Sequence, residues 1–523
     1  MQYRLISVLA VVMVIVAELT GTEVMSQETK NISGILHNIN YGVEMQATMS
    51  HNKTPLWLNA NKYGLSSLDE TNGYLRASLS RPLSADSAYR WGMGWGADLA
   101  VPYNFTSNFV IQQAYVEGRW LKGTLTVGSR EWKMELKNNE LSSGSQTLGR
   151  NARPVPQVRV ALPDYWEIPF TRGWLSLKGH IAYGMMTDDN WQHDMTGRRS
   201  RYADNVLYHS KAGYLRIGND YRFCPVSLEL GLEMASTFGG TAYRQNTDGS
   251  MVKVENATNL RALWQAFMPG GAEANETMYK NIEGNHVGSW LIRFNYKADR
   301  WGLSVYADKF FEDQSSMFQL DYNGYGEGEE WDQKKKRKYI LYDFKDIMLG
   351  MELNMDYEYW IQNVVLEYMY TKYQSGPVYH DRTISISDHV GGKDNFYNHS
   401  VFTGWQHWGQ VMGNPLYRSP IYNSDGTIMV ENNRFMAFHL GISSTIRNFH
   451  YRLLGTWQDG LGTYLIPFTK KQQNVSLLAE ATYRFAGKLE GWSLTGACGA
   501  DFGKILGDNS GFQLTIAKKG ILR

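Results

Sequence analysis

Cysteine is almost absent from the sequence. Cys224 and Cys498 are the only two among 523 residues, and they lie far apart along the chain. Two such residues are too few for a disulfide framework or a cysteine-based zinc site, and they are more often simply packed. A small disulfide-rich scaffold is therefore excluded, and the sequence implies no metal or other cofactor.

An excess of either charge is also missing. Lys and Arg together number 52 and Asp and Glu 51, which gives a formal net charge of +1. A balanced chain creates no overall field that attracts a polyanion or an anionic membrane surface. The composition thus argues against nucleic acid as a partner.

Long apolar runs are absent beyond the N-terminus, because no later stretch reaches the ~18 residues that a membrane helix needs. At the N-terminus, Met1 to Arg4 is short and basic, Leu5 to Leu19 is apolar, and small polar residues follow. This pattern predicts a secretory signal over residues 1–26, with an uncleaved anchor as the alternative. Residues 27–523 are predicted to form one domain.

Aromatic residues, by contrast, are plentiful for so hydrophilic a chain. They make up 13% of it, with 33 Tyr and 17 Trp beside 51 Gly, although the mean hydropathy is −0.41. Transmembrane β-barrels combine these properties, since only the outward half of each strand is apolar and aromatic girdles mark both interfaces. We expect the outer membrane of a Gram-negative bacterium, with the long loops facing the exterior.

The sequence from Tyr89 to Val101 shows the strand pattern most clearly. Large apolar residues occupy every second position, and Arg90, three glycines, Asp98 and Ala100 occupy the positions between. A period of two with one apolar and one small or polar face suits a strand between lipid and a wet lumen. A soluble β-sandwich also alternates, so this pattern alone leaves that fold open.

The spacing of such segments favours an antiparallel transmembrane barrel of about eighteen strands. Candidate strands begin near residues 41, 72, 90, 109, 123, 156, 174, 210, 226, 286, 301, 346, 360, 434, 449, 473, 491 and 512. The connections between them alternate between long and short, as the two ends of such a barrel require. The last strand is expected over Phe512 to Ala517, followed by a short tail.

Helical patterns are scarce and are expected only in loops or in the lumen. In Asn259 to Phe267, apolar residues recur at the spacing of one helix face, after residues that can cap a helix start. This helix is predicted to pack across a barrel mouth or into the lumen. A short surface helix is the alternative.

Several segments together resemble the Wzi family of outer-membrane capsule-assembly proteins. The resemblance extends from about residue 40 to the last strand, and no single motif decides it. The matching segments are Leu125 to Glu131, Ser143 to Pro156, Tyr208 to Gly218, Glu283 to Gly288, Tyr306 to Ser315, Glu367 to Pro377, Tyr397 to Trp405 and Gly462 to Pro467.

The resemblance implies an eighteen-stranded barrel that is partly closed by helices and loops. It also implies a non-enzymatic, lectin-like protein that binds or retains capsular polysaccharide at the cell surface. The expected partners are capsular or other surface polysaccharide, outer-membrane lipid and lipopolysaccharide, and the capsule export machinery.

The long connection 373–433 is the best candidate for contact with polysaccharide. Flat aromatic rings pack on sugar C–H groups, and planar polar groups bond sugar hydroxyls or carboxylates. The alternative is that these residues pack the loop onto the barrel rim. The candidates here are Tyr397, His399, Trp405, His407, Trp408 and Arg418.

Arg150 and Arg153 are candidates of a second kind. They can pair with an acidic polysaccharide, or they can bridge to carboxylates in the lumen, which the sequence favours because charges inside wide barrels usually form networks. The proposed partners in such a lumen network are Glu131, Glu283 and Asp313.

Enzyme motifs are weak. Gly507 to Gly511 resembles a hydrolase turn only superficially, and no metal or carboxylate pair can be placed from spacing. The chain is therefore predicted not to be an enzyme. Beside capsule assembly, two functions stay open: a porin-like or oligosaccharide-specific channel, and an outer-membrane hydrolase or lipid-modifying enzyme.

Overall fold

The computed structural model describes most of the chain beyond the N-terminal segment. The described residues are 34, 37–219, 224–246, 248–268, 284–312, 320–321, 324–325, 328–330, 333–335, 339–340, 345–357, 360–380 and 389–522. The predicted signal segment 1–26 and two of the proposed network carboxylates, Glu283 and Asp313, lie outside them.

Eighteen antiparallel strands form a single closed sheet, because β1 pairs with both β2 and β18. This confirms the predicted barrel and its strand count. The strands are β1 Ile39–His51, β2 Thr71–Arg81, β3 Trp91–Tyr103, β4 Val110–Trp120, β5 Gly123–Ser129, β6 Gln157–Glu167, β7 Leu175–Met185, β8 Leu207–Ile217, β9 Val226–Phe238, β10 Asn285–Lys297, β11 Trp301–Glu312, β12 Ile347–Met355, β13 Asn363–Tyr370, β14 Phe435–Ile446, β15 Phe449–Gly462, β16 Pro467–Arg484, β17 Trp492–Gly503 and β18 Asn509–Leu522.

The final strand closes the barrel and runs further than expected. Its pairing with β1 extends from Ser510, opposite His51, to Leu522, opposite Ile39. The prediction of a short tail after Ala517 is therefore wrong. Residues beyond Ala517 complete the ladder, because otherwise the first residues of β1 would have unpaired backbone groups on that side.

The two faces of the barrel differ as the alternation predicts. On β3, Trp91, Met93 and Leu99 are exposed on the outer face. Asp98, on the opposite face, is buried and bonds Arg76 of β2 across the inner wall. An apolar exterior and a polar interior are what a membrane-spanning barrel requires.

The connections separate into two groups at the two ends of the barrel. One end, here called the long-loop end, carries 52–70, 104–109, 130–156, 186–206, 239–284, 313–346, 371–434, 463–466 and 504–508. The short-turn end carries 82–90, 121–122, 168–174, 218–225, 298–300, 356–362, 447–448 and 485–491. The first residue of β1 and the last residue of β18 also lie at this end.

Small elements lie within these connections. The helices are α1 Leu56–Asn59, α2 Asp189–Thr196 and α3 Leu260–Phe267, with 3-10 turns at Leu83–Asp86, Gly328–Glu330, Pro420–Tyr422 and Gly487–Leu489. Short strands pair in loops: Tyr202–Asp204, Thr241–Gln245 and Met251–Glu255; Leu320–Asp321 and Tyr339–Ile340; Gly324–Tyr325 and Lys334–Lys335; Ser375–His380 and His389–Lys393; Gln406–His407 and Gln410–Val411. Within the described ranges, none of the helices has the length and apolar character needed to cross a bilayer.

The predicted helix at 259–267 is present as α3, and its side-chain cap is Asn259, which accepts from the Ala262 backbone N–H at 3.0 Å. The prediction that it packs across a barrel mouth or into the lumen is wrong, and the alternative, a short surface helix, is the one that the structure shows. The Tyr183 hydroxyl on the outer wall donates to the Leu263 carbonyl at 2.9 Å, so α3 lies on the outside of the barrel. Periodicity identifies an apolar helix face but not the surface on which that face packs.

The main buried cluster lies inside the barrel and is formed by connections that fold inward. We call residues 52–70, 130–156 and 395–433 the plug. Its apolar side chains pack on one another and on inward-facing residues of the wall. Members from the plug include Trp57, Leu141, Trp405 and Tyr417, and members from the wall include Phe310, Met348, Phe435 and Leu478.

Candidate functional site

The plug is fastened to the wall by buried carboxylates. Glu367 of β13 accepts from the Ser142 hydroxyl at 2.5 Å and from the Ser143 backbone N–H at 2.8 Å. It also accepts from the Tyr306 hydroxyl at 2.6 Å. Hydrogen bonds to a charged group are stronger than neutral ones, so Glu367 is a strong anchor for the plug.

Two further wall carboxylates hold the next residues of the same segment. Asp308 of β11 forms an ion pair with Lys137 and accepts from the Gln146 backbone N–H at 3.2 Å. Glu233 of β9 accepts from the Leu148 backbone N–H at 3.3 Å. Three neighbouring regions of the wall thus bind consecutive parts of one plug segment.

Cationic and imidazole groups bind the carbonyls of the same segment. His439 Nε2 donates to the Leu141 carbonyl at 2.8 Å, and Arg452 donates to the Glu140 carbonyl at 3.1 Å. Arg293 donates to the Leu136 carbonyl at 3.1 Å. Residues 136–148 are therefore bonded through their backbone to one contiguous arc of the wall, strands β9 to β15.

The three parts of the plug are also bonded to one another. The Gly149 N–H donates to the Met412 carbonyl at 3.0 Å, and the Tyr63 N–H donates to the Arg150 carbonyl at 2.8 Å. A Cβ at Gly149 would lie 2.6 Å from the Gly413 carbonyl oxygen. Glycine is therefore required here for a close approach of two backbones, which the sequence alone does not reveal.

The aromatic residues predicted to bind polysaccharide are located in the plug. Tyr397 is fully buried, its hydroxyl donates to the Gln146 carbonyl, and its ring stacks on Tyr417 at 4.0 Å. The indole of Trp405 is also buried and donates to the Thr147 carbonyl at 3.0 Å. Both side chains contact the protein's own backbone.

His407 and Trp408 surround Arg153. The buried His407 donates through Nδ1 to the Arg153 carbonyl at 2.9 Å, and burial lowers the pKa of this imidazole. The Arg153 guanidinium stacks over the Trp408 ring at 4.2 Å. Burial lowers the pKa of Arg153 to about 10, and it keeps its charge at neutral pH.

His399 and Arg418 complete the candidates from this connection. His399 Nδ1 accepts from the Val401 and Phe402 backbone N–H groups at 3.0 and 3.1 Å, and burial lowers its pKa to about 4. Arg418 pairs with Glu431 at 2.5 Å. Contact of these residues with polysaccharide stays a prediction; their side chains bond the plug itself.

The lumen contains a charge network around Glu131, but its cation is not one that the sequence suggested. Arg76 of β2 lies 3.1 Å from Glu131 and 2.5 Å from Asp98. Arg153 instead donates to the Ser107 and Thr106 hydroxyls at 2.8 and 3.0 Å. Arg150 lies beside Tyr63, and burial lowers the pKa of its guanidinium.

Polar cavities adjoin the plug, among them the following two. The larger, which we call the vestibule, has a volume of about 600 Å³ at the short-turn end and is lined by residues including Asn40, Glu44, Arg76, Asp98, Tyr115 and Glu131. The smaller, which we call the crevice, has a volume of about 90 Å³ between the plug and strands β6 to β9, and its lining includes Arg130, Trp132, Arg153, Arg159, His180 and Trp405. Arg130, Glu131 and Trp132 are consecutive, so one plug segment contributes to the lining of both cavities.

Arg159 is the most unusual residue of the crevice. Its guanidinium stacks over the Trp132 ring at 3.9 Å, and its Nε is shielded from solvent without a hydrogen-bond partner. No carboxylate of the described part of the chain forms an ion pair with it. The indole nitrogen of Trp132 is likewise a buried donor without a partner. These groups are suited to bind an anion, because both are hydrogen-bond donors and one is charged.

Sequence reasoning missed the residues that hold the plug and line the crevice. Arg159, Glu233, Asp308 and Glu367 all occupy inward positions of correctly located strands. The sequence signal that could have identified them is a charged residue at an inward position of a strand whose outward positions are apolar. Within the described ranges, no group of three or more His, Cys, Asp or Glu side chains is placed to hold a metal ion.

Comparisons with known proteins concern the barrel. No family model and no curated protein matches the chain. OprD of Pseudomonas aeruginosa is 10% identical with a TM-score of 0.43, covering 93% of this chain and 95% of that one. OccK2 (OpdF) of P. aeruginosa, solved with glucuronate, is 7% identical with a TM-score of 0.45, covering 94% and 100%. OccAB4 of Acinetobacter baumannii is 8% identical with a TM-score of 0.43, covering 93% and 99%.

These findings correct the family and function expected from the sequence. The similar solved structures are porins of the OprD and Occ type, so membership of the Wzi family and the capsule-assembly function are both wrong. The segment Ser143 to Pro156, which suggested that family, has a local explanation. Its serines and glycines allow a backbone to cross the lumen and bond wall carboxylates. The fold itself is that of an outer-membrane β-barrel.

We predict that Glu367→Gln loosens the plug while the barrel stays folded. Loss of the charged acceptor removes bonds worth about 1.5–3 kcal/mol, so the Ser143 and Gly144 amides should exchange roughly 10- to 100-fold faster. Hydrogen exchange measured by mass spectrometry tests this.

Glu135→Gln is the control, because Glu135 is partly exposed and pairs with Lys178 at 2.5 Å away from this anchor. Unchanged exchange at 143–144 in the Glu367 variant would show that this carboxylate does not hold the plug.

Proposed function

We propose that the protein is a non-enzymatic, porin-like outer-membrane channel for small anionic solutes, closed in this conformation by the plug. The observation that carries the proposal is the crevice, where the unpaired Arg159 faces a polar gap between plug and wall. Residues 130–132 of the plug line both the crevice and the vestibule, and we infer a route along the lumen that passes both.

The cavity volumes support a passage that opens when the plug moves. The vestibule, at about 600 Å³, is in the range of cavities that hold a small ligand, roughly 300–1,000 Å³. The crevice, at about 90 Å³, has room for a few waters only. Because hydrogen bonds and ion pairs fasten the plug, its displacement breaks no covalent bond.

The charges around the crevice favour anions. Glu135 is neutralised by Lys178, and Glu233 accepts from the Leu148 N–H and from the Ser145 and Tyr214 hydroxyls. Among the described residues, no carboxylate forms an ion pair with Arg153 or Arg159. A constriction with uncompensated cations and low-dielectric walls concentrates anions.

The orientation follows from the two sets of connections. In bacterial outer-membrane barrels, short turns face the periplasm and long loops face outward. On this basis the vestibule opens to the periplasm and the plug lies toward the exterior. The lipid partners are then outer-leaflet lipopolysaccharide and inner-leaflet phospholipid.

We predict that covalent locking of the plug abolishes conductance. The Thr147 and Ser289 hydroxyl oxygens lie 2.8 Å apart, between plug and wall, so Thr147→Cys with Ser289→Cys can form a disulfide. In a Cys224→Ala, Cys498→Ala background, single-channel current in planar bilayers should disappear on oxidation and return on reduction. Thr147→Cys alone, treated identically, is the control.

Two outcomes would contradict the proposal. Absence of current from the reduced, heat-modifiable barrel and also from Glu367→Gln would mean that the lumen is not a solute pathway. Equal current before and after oxidation would mean that passage does not depend on the plug.

We predict that Arg159→Gln lowers the preference for anions. Loss of a unit charge that interacts with the solute by about 1 kcal/mol reduces the anion-to-cation permeability ratio about fivefold. The reversal potential in a KCl gradient measures this ratio. Arg172→Gln removes the same charge from an exposed short turn and should leave it unchanged; equal shifts in both variants would remove Arg159 from the pathway.

We predict that acid increases channel opening through His399. Burial depresses its pKa to about 4 in the closed plug, whereas a solvated imidazole has a pKa of about 6.5. The closed state therefore loses stability as the pH falls from about 6.5 to about 4, and the neighbouring Arg201 guanidinium adds to the penalty. Open probability should rise over this window.

His399→Asn provides the matched variant, since its amide oxygen can accept the Val401 and Phe402 N–H groups without titrating. Its open probability should rise less over the same pH range, because the buried His407 still titrates with a lowered pKa. Acid activation equal to that of the unmodified chain would assign the effect to another group.

A further inference from the structure

The helix α3, Leu260–Phe267, turns its small residues toward the protein and its large apolar residues away from it, which is the reverse of a surface helix on a soluble protein. Its small residues Ala262 and Ala266 face the protein and are 3% and 2% exposed. Its large apolar residues face away: Leu260 is 84% exposed, Trp264 64%, and Met268, which follows the last turn, 52%. In water this arrangement is unfavourable, because the largest apolar groups stay hydrated.

The surface beneath α3 is the outer wall of the barrel. Arg159 pairs with Ala182, and Ala182 pairs with Ser210, so these wall positions all face the lumen. Their neighbours Tyr183 and Lys211 therefore face outward. Lys211 donates to the Phe267 carbonyl and lies over its ring at 4.6 Å. The helix is therefore fixed at both its middle and its C-terminal end to the membrane side of the wall.

The exposed face of α3 continues the apolar outer surface of the barrel. Toward the short-turn end, Ile181 of β7, Leu230 of β9 and Ile292 of β10 are exposed on the outer wall. The helix lies beyond them, toward the long-loop end. At that depth a tryptophan-bearing amphipathic helix matches the border between acyl chains and headgroups.

We propose that α3 is an interfacial helix whose Leu260, Trp264 and Met268 side chains insert among the acyl chains of the membrane leaflet at the long-loop end. The occupant of this face is lipid, because the face is continuous with the lipid-facing wall. Arg261 is exposed on the flank of the same face, where its guanidinium can reach a lipid phosphate.

The arrangement also explains the polar groups under the helix. Lys211 and His209 occupy outward wall positions that would otherwise meet lipid. The Lys211 ammonium is bonded at the helix C-terminus, where the exposed carbonyls favour a cation, and His209 donates to the Ala182 carbonyl at 2.8 Å. The helix thus covers a polar area of the wall and replaces it with an apolar surface. This inference is independent of the proposed channel.

Site-specific quenching in vesicles tests the proposal. Single cysteines replace Leu260 or Trp264 in the Cys224→Ala, Cys498→Ala chain and carry an environment-sensitive thiol-reactive fluorophore. The vesicles contain phosphatidylcholine with brominated acyl chains. Val305→Cys on the exposed outer wall is the lipid reference, and Ser250→Cys in an exposed loop is the aqueous reference.

The labels at 260 and 264 should be quenched by at least half as much as the label at 305, whereas that at 250 should be quenched by iodide and not by bromolipid. Iodide quenching at 260 and 264 equal to that at 250 would overturn the proposal. Protection from both quenchers would also overturn it, because protein would then cover the face. Heat-modifiable gel mobility verifies that each variant is folded.

Discussion

The buried carboxylates on the inner wall are the constraint on which the rest of the molecule depends. Glu233, Asp308 and Glu367 project into a space where water is scarce, and an unpaired charge there is strongly unfavourable. Residues 142–148 satisfy them mainly with serine hydroxyls and backbone N–H groups. A segment that supplies donors in this way must cross the lumen, so the wall and the plug determine each other's structure. The closed lumen is a consequence of this pairing.

The same requirement explains why the long connections differ in where they fold. The plug connections carry polar and amphipathic residues that the polar wall can bond, and they fold inward. The connection that contains α3 presents Leu260 and Trp264 on one helix face, and these large apolar side chains stay exposed on the membrane side of the wall. It folds outward onto the membrane side. In a barrel whose inner and outer surfaces differ this strongly, the side-chain chemistry of each loop selects its surface.

Strand positions could be predicted because they depend on local alternation, which the sequence displays directly. The plug contacts could not, since they join residues as distant in sequence as Ser142 and Glu367. Aromatic loop residues were ambiguous for a related reason. The sequence around Tyr397 and Trp405 reads the same whether their rings contact a sugar or the protein itself. Only the fold shows that Tyr397 stacks on Tyr417 and that Trp405 donates to the Thr147 carbonyl. Arg150 and Arg153 lie in the plug, yet the carboxylate Glu131 that the sequence offered them as a partner pairs with Arg76.

Arg159 is the exception to this complementarity. Among the described residues, the plug satisfies the carboxylates of the wall but brings no carboxylate into an ion pair with this guanidinium, which stacks on the π-face of Trp132, a contact that contributes about 2 kcal/mol when desolvated. Desolvation that the charge of Glu135 offsets only in part opposes the closed state here, and an anion that entered the crevice would reduce the penalty. A solute carboxylate would then bind beside Arg159, where the contact between the plug and the wall is least favourable. In the proposed channel, this cation would couple occupancy of the crevice to the position of the plug.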